Sequence, residues 1–239
     1  MIEKHIQRYQ ELEQEVVRLA GMGKSLLFRG QRNAWGLRAS FYRRCIGDGQ
    51  FIDRLNSRML SWVQNLEAKT STLNLCGIDW TQLPNEKEKI KSLQIPQWSC
   101  LQHHGIDTIV LDWTRGLEVA VFFALVYESP QCGEQPVIFV LDAKGMASSL
   151  SMKNPNGVAY WDRDVYQPSE RYKKQQGWHT AYVDFNSGFE GDLEPFILDC
   201  EKKDRNNYLW RFLLKKDMDF ADEIQRRGIT RDYLFPAEE

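Results

Sequence analysis

The chain lacks the short motifs by which many enzymes are recognised. Its 239 residues contain no Gly-x-Ser-x-Gly, no P-loop and no Gly-x-Gly-x-x-Gly, so neither a hydrolase nucleophile turn nor a standard phosphate-binding loop is present. Cysteine is scarce. Cys45, Cys76, Cys100, Cys132 and Cys200 are odd in number and scattered, with no Cys-x-x-Cys and no Cys/His spacing that zinc would use. No metal is expected, and the thiols read as reduced and structural. Charge of one sign is also missing. A formal net charge of -2 gives no global argument for nucleic acid or an anionic membrane, although it leaves room for a local basic patch. The longest apolar run, Leu117 to Tyr127, is broken by Glu118 and is too short to span a bilayer. The opening MIEKHIQRYQ is charged and has no apolar core of the kind a secretory signal needs. These absences point to a cytoplasmic protein with no membrane partner. Repeats, low-complexity tracts and long linkers are absent too, so 1–239 reads as a single domain.

Hydrophobic residues make up 42% of the chain and charged residues 27%, enough for an ordinary buried core. Apolar residues at Ile2, Ile6, Tyr9, Leu12, Val16 and Leu19 recur every three or four positions, which predicts a helix from Ile2 to Ala20. Ser25 to Phe28 reads as a buried strand before Gly30. Phe51 to Leu66 again has helical spacing, and Pro84 to Lys89 reads as a turn and a charged, exposed segment. Pro96 to His104 is a short helix stopped by Gly105, and Thr108 to Leu111 a strand. The run from Leu117 to Tyr127 is apolar nearly all round and should be a central helix, with Asp112 or Thr114 as its cap. Val137 to Leu141 is another buried strand, Ser149 to Asn156 a polar loop, and Asn206 to Asp222 a helix with a stop at Arg227-Gly228-Ile229. The expected class is α+β: a mixed domain with a small central sheet and an N-terminal helix.

Three polar clusters break this pattern. Phe28-Arg29-Gly30-Gln31 places an arginine and a glycine at the end of a strand. The guanidinium fork suits phosphate or carboxylate, and glycine lets a ligand approach the backbone; an ion pair with Asp112 is the structural alternative. Arg29 also opens a basic run with Arg32, Arg38, Arg43 and Arg44, interleaved with Trp35 and Tyr42. Arginine mixed with aromatics suits a nucleotide or nucleic-acid surface, and equally a solvated helix face. The second cluster joins Gln102-His103-His104 to Asp112-Trp113-Thr114-Arg115, where a strand runs into a helix. Such junctions collect ligands, and the helix N-terminus favours an anion. The bland readings are a cap for Asp112 and a structural histidine for His103. The two adjacent histidines point about 100° apart on a helix and make no metal site. The third cluster is Arg171 with Gln175-Gln176-Gly177-Trp178, whose amides could bond a ligand or merely line a turn.

In order and spacing these clusters resemble the FRG domain, the family named for its Phe-Arg-Gly motif. The resemblance runs from about Ser25 to the end of the chain, where Gly228-Ile229 and Leu234-Phe235-Pro236 are similar to the family's closing signature. Residues 1–22 would be a helical addition, and the tail Ala237-Glu238-Glu239 departs from the family pattern. The family's layout is similar to ADP-ribosyltransferases, especially those that modify DNA bases. The resemblance therefore implies NAD as substrate and DNA or RNA as acceptor, with a role in toxin or defence systems. Arg29 would grip the donor. Arg29, His103 and Asp112 would be the catalytic set, and Arg29, Gln31, Trp113, Thr114, Arg115, Gln175 and Gln176 the donor-binding set. The usual late glutamate has no clear counterpart, because Glu118 lies in the apolar helix and Glu238 and Glu239 sit in no matching motif. A nucleotide-binding or nucleic-acid-binding module without turnover is the alternative.

Overall fold

The computed structural model describes residues 1–43, 51–69, 85, 89, 93, 95–127, 131–151, 159–161, 170–181, 192–216 and 218–236. Their fold is α+β, built on a mixed sheet of seven strands, larger than the small sheet expected. The strands are β1 (Ile2–Ile6), β2 (Leu26–Gln31), β3 (Val110–Thr114), β4 (Val137–Asp142), β5 (Ala159–Trp161), β6 (Gly177–Ala181) and β7 (Leu209–Leu214). They lie in the order β1-β7-β4-β2-β3-β6-β5, with β1 parallel to β7 and every other pair antiparallel. Among the described residues no helix is long and apolar enough to cross a membrane.

Successive strand residues point to opposite faces, and both faces are covered. Leu27, Phe139 and Leu209 pack into one core with α2 (Ser40–Arg43), α3 (Phe51–Glu67), α4 (Ile95–His103), α6 (Ala143–Ser151) and α8 (Leu193–Asp204). Their neighbours Phe28, Ile138 and Trp210 pack into the other with α1 (Tyr9–Gly21), α5 (Leu117–Leu125), α9 (Met218–Arg226) and α10 (Arg231–Leu234). A last short helix, α7 (Glu170–Lys174), precedes β6. Helix α5 is the central element its composition predicts, with Leu117, Val119, Ala120, Val121, Phe122 and Ala124 buried.

Two expected helices are each part strand and part helix. The first splits into β1 and α1, because Ile2 and Ile6 sit four apart and share a face in either conformation; pairing with β7 decides for strand. The Asn206–Asp222 helix is replaced by β7 and then α9. The run Leu-Trp-Arg-Phe-Leu-Leu is apolar toward both faces, so it fits a central strand better than a one-sided helix. The strand expected at Thr108–Leu111 lies two residues later, as β3. Ser149–Ser151 close α6 instead of opening a loop. Most of Pro84–Lys89, residues 152–156, Arg44 and Ala237-Glu238-Glu239 lie outside the described residues. Cys100 is disulfide-bonded, which corrects the expectation of reduced thiols throughout; spacing along the chain does not report proximity in space.

The helix α5 meets β2 backbone to backbone. A Cβ built on Gly30 would stand 1.7 Å from the Ala120 carbonyl oxygen and 2.9 Å from the Ala124 nitrogen. The glycine after Arg29 is therefore required by a helix, a demand that stands beside its reading as an opening for ligand. Gly30→Ala is expected to destabilise the protein by more than the ~1–3 kcal/mol usual for overpacking, because backbone cannot give way as a side chain can. Denaturant unfolding measures it.

Glu194, in the first turn of α8, lies 3.5 Å from Arg211. Burial raises its carboxyl pKa above the ordinary 4.5; Arg211 pulls it down, and Asp192 and Glu3 push it up. The folded state thus holds the proton more tightly, and that contribution to stability is lost as pH rises through the raised value. Glu194→Gln should therefore gain on the wild type as pH climbs from below 4.5 to neutrality, read from unfolding midpoints across a pH series.

Candidate functional site

The strand β2 pairs with β4 along its whole length but with β3 at one position, Phe28 opposite Thr114. Beyond that pair the two strands part. Arg29 spans the opening, and its Nη1 donates to the main-chain carbonyl of Asp112 at 2.6 Å. A side chain thus satisfies a carbonyl that a ladder hydrogen bond would satisfy in a closed sheet. With the Gln31 amide oriented to serve both neighbours, it accepts from Arg29 Nε at 3.1 Å and donates to the Trp35 carbonyl at 3.2 Å. Burial pushes the Arg29 pKa below its ordinary value, Asp112 opposes the shift and Arg43 adds to it. The guanidinium remains charged at neutral pH.

A hollow of about 260 Å³ opens where the strands separate. Its lining draws on both faces of the sheet: Phe28, Gly30, Val119 and Phe123 from one side, Ser99 and Gln102 from the other. The Asp112 carboxylate lines it and is 57% exposed, so a ligand can reach it. Gln102 Nε2 donates to Asp112 Oδ2 at 2.5 Å, and Gln102 Oε1 accepts from the Thr108 hydroxyl at 2.5 Å, which fixes the amide. The other oxygen, Oδ1, lies 3.1 Å from His179 Nε2.

His179 was not foreseen. It sits on β6 directly across from Asp112, and its ring is nearly parallel to that of Tyr172, 5.4 Å away. The Tyr172 hydroxyl is 3.5 Å from Nδ1, and the Ser99 hydroxyl is 3.4 Å from Nε2. Serine and aspartate share one nitrogen, so this is no serine-protease triad, where they take opposite nitrogens. The signal available was a histidine in a short apolar strand, in a chain holding 4 histidines. Tyr172 reaches the site because a Cβ at Gly177 would stand 2.6 Å from its ring. Arg171 adds a second guanidinium to the lining. It lies 4.5 Å from the Phe235 ring, and its Nε has no hydrogen-bond partner among the described residues.

Of the other residues singled out, Trp113, Thr114 and Gln175 also line this hollow, and Gln31 lines the one beside it. Trp113 is only 2% exposed, and its indole donates to Thr180 Oγ1 at 2.8 Å, so most of it is core. Arg115 stands outside both linings, its guanidinium 4.3 Å from the Trp178 ring centroid. Gln176 is also outside both, in a turn at φ 49. The backbone of His103 ends α4, and its side chain lies outside the described residues. Asp112 does not cap α5. The N-cap is Gly116, four residues further on; Asp112 is still strand, and its carboxylate meets the side chains of Gln102 and His179. Nor does its carboxylate make the bond to Arg29, which runs to the main chain.

Thr114 holds the second and third clusters together. Its hydroxyl accepts from the Gly116 N–H at 3.0 Å and donates to the Gln175 carbonyl at 2.7 Å, while the Arg115 N–H donates to the Gln176 carbonyl at 3.1 Å. Thr114→Val keeps the shape and deletes both hydroxyl bonds. It is expected to cost ~1–3 kcal/mol in unfolding free energy, since two shielded main-chain groups lose their partner.

Residues 24–132 match the family model of the FRG domain. That span contains Arg29, Gln102 and Asp112, ends before Arg171 and His179, and is shorter than the resemblance running to the chain's end. No curated protein and no solved structure matches this chain. Over that span, which runs from before the Phe28-Arg29-Gly30 strand to beyond the helix that packs on it, this chain is similar to the FRG domain.

Proposed function

We propose that the hollow is the donor site of an NAD-dependent ADP-ribosyltransferase-like enzyme that modifies nucleic acid. The observation that carries this reading is the convergence of two guanidiniums, Arg29 and Arg171, with the Asp112 carboxylate and His179 in one lining. A dinucleotide's pyrophosphate suits the two arginines, which bind phosphate oxygens through paired N–H groups. Transfer breaks the bond between the ribose C1′ and the nicotinamide nitrogen. The bonding pair leaves with nicotinamide, and C1′ becomes cationic. A reachable carboxylate opposite that carbon stabilises the charge, and Asp112 is the carboxylate in the lining among the described residues. The acceptor atom then bonds to C1′ and gives up its proton. His179, beside Asp112, takes the role that the sequence suggested for His103. Glu118 is engaged elsewhere, 3.0 Å from Arg227.

A nucleotide-binding module without turnover is the second reading. It is favoured by the engagement of the Asp112 carboxylate with both Gln102 and His179, a set of contacts that needs no ligand. Nicotinamide release from NAD, measured with and without a single-stranded oligonucleotide, separates the two. Under the enzyme reading Asp112→Asn lowers kcat by about 10²-fold or more at similar KM, and Arg29→Ala mainly raises KM. NAD binding with no nicotinamide released and no covalent product selects the module.

A further inference from the structure

We infer that a second hollow, adjoining the first at Arg29, is a nucleotide subsite in which a base stacks on Trp35 and its phosphate meets Arg43 and Arg29. The two hollows share Arg29, Gly30 and Phe123 in their linings. The second is larger, about 710 Å³, and is lined further by Gln31, Arg32, Trp35, Arg38, Arg43 and Tyr127. A site of 260 Å³ falls below the ~300–1,000 Å³ that encloses a drug-sized molecule, so a dinucleotide held at Arg29 must extend past it.

The chemistry of the second lining fits a nucleotide. It holds four arginines and, among the described residues, no carboxylate. Glu134 and Asp192 pair with Arg32 and Arg38 at 3.3 Å each, and neither acid is part of the lining. Arg43 is exposed beside them and close enough to depress the pKa of Arg29. Such a field favours phosphate. Trp35 is 47% exposed, far more than a core indole, and the Arg32 guanidinium lies 5.4 Å from its ring. Its loop is nevertheless held in place. The Asn33 side chain accepts from the main-chain N–H groups of Ala34 and Gln135, at 2.9 and 3.0 Å. A fixed, exposed indole beside arginines is a stacking platform for an unpaired base. A concave site of this kind excludes a stacked duplex.

The shared ligand is a base with its phosphate, and it has two sources: the adenosine end of the donor, or one nucleotide of a single-stranded acceptor. The inference rests on the proposed function only for the path of a donor past Arg29. Calorimetric titration with AMP, ADP-ribose, nicotinamide mononucleotide and a single-stranded oligonucleotide tests it on the whole protein. Both substitutions are at exposed positions, so folding should survive, and circular dichroism checks this. Trp35→Ala should weaken AMP and ADP-ribose, or the strand, by about tenfold or more. Arg43→Gln should weaken the same ligand and, for a strand, reduce the salt slope by about 0.7. Nicotinamide mononucleotide, a probe of the first hollow, should bind both variants as it binds the wild type. Loss confined to AMP and ADP-ribose assigns the donor, and loss confined to the strand assigns the acceptor; either supports the subsite. It is overturned if the wild type binds none of AMP, ADP-ribose and the strand, or if both variants bind them unchanged. Trp35-dependent AMP binding by a protein that releases no nicotinamide would sink the enzyme and leave the subsite standing.

Discussion

The contact on which this site depends is between two main chains. Where α5 crosses β2, nothing larger than a hydrogen fits between Gly30 and the helix backbone. Two residues, Arg115 and Gly116, connect β3 to that helix. A short connection to a helix seated on the neighbouring strand constrains the end of β3, and β3 pairs with β2 at a single position. The opening between the strands belongs to this docking arrangement. Arg29 occupies the opening because residues adjacent on a strand face opposite ways: Gly30 meets the helix, and the arginine before it reaches across to Asp112.

Some residues of the polar clusters serve chiefly as framework, even where they edge the hollow, and others present charged or titratable groups to it. Thr114 and the main chains of Arg115, Gln175 and Gln176 are framework, a set of hydrogen bonds that ties the end of β3 to the turn before β6. Trp113 belongs with them, its ring in the core and its N–H on Thr180. Arg29, Asp112, Arg171 and His179 line the hollow, and each is held by a neighbour that is not a ligand: Gln31, Gln102, Phe235 and Tyr172 respectively. Groups oriented in this way lose little freedom when a charged molecule arrives.

How much of this was legible in the sequence follows from how local each signal is. The helix α5 and the strand β4 could be read directly, since a run that is apolar nearly all round needs no partner to reveal it. Arg29 and Asp112 could be singled out because each interrupts an apolar stretch with a charge. The strands β1 and β7 misled because their apolar spacing satisfies two periodicities, and pairing across the sheet chooses between them. The position of Asp112 was misjudged by the length of one connection: with the helix beginning at Leu117, it is strand and not cap. His179, Tyr172 and Ser99 carry no motif. They reach the site from β6, α7 and α4, and only the three-dimensional arrangement brings them to Asp112.

The edge strand β1 makes the sheet slow to complete. Its Glu3 meets Arg211 on β7 across 208 residues of chain, and the parallel ladder beside that ion pair has the same span. Closing so long a loop costs entropy before any contact repays it, and topologies rich in such pairings assemble late. During synthesis β1 emerges well before its partner and must wait beside α1 with its hydrogen-bonding edge unfilled. The charges of Glu3 and Lys4 in that short strand would deter other chains from pairing with it in the interval.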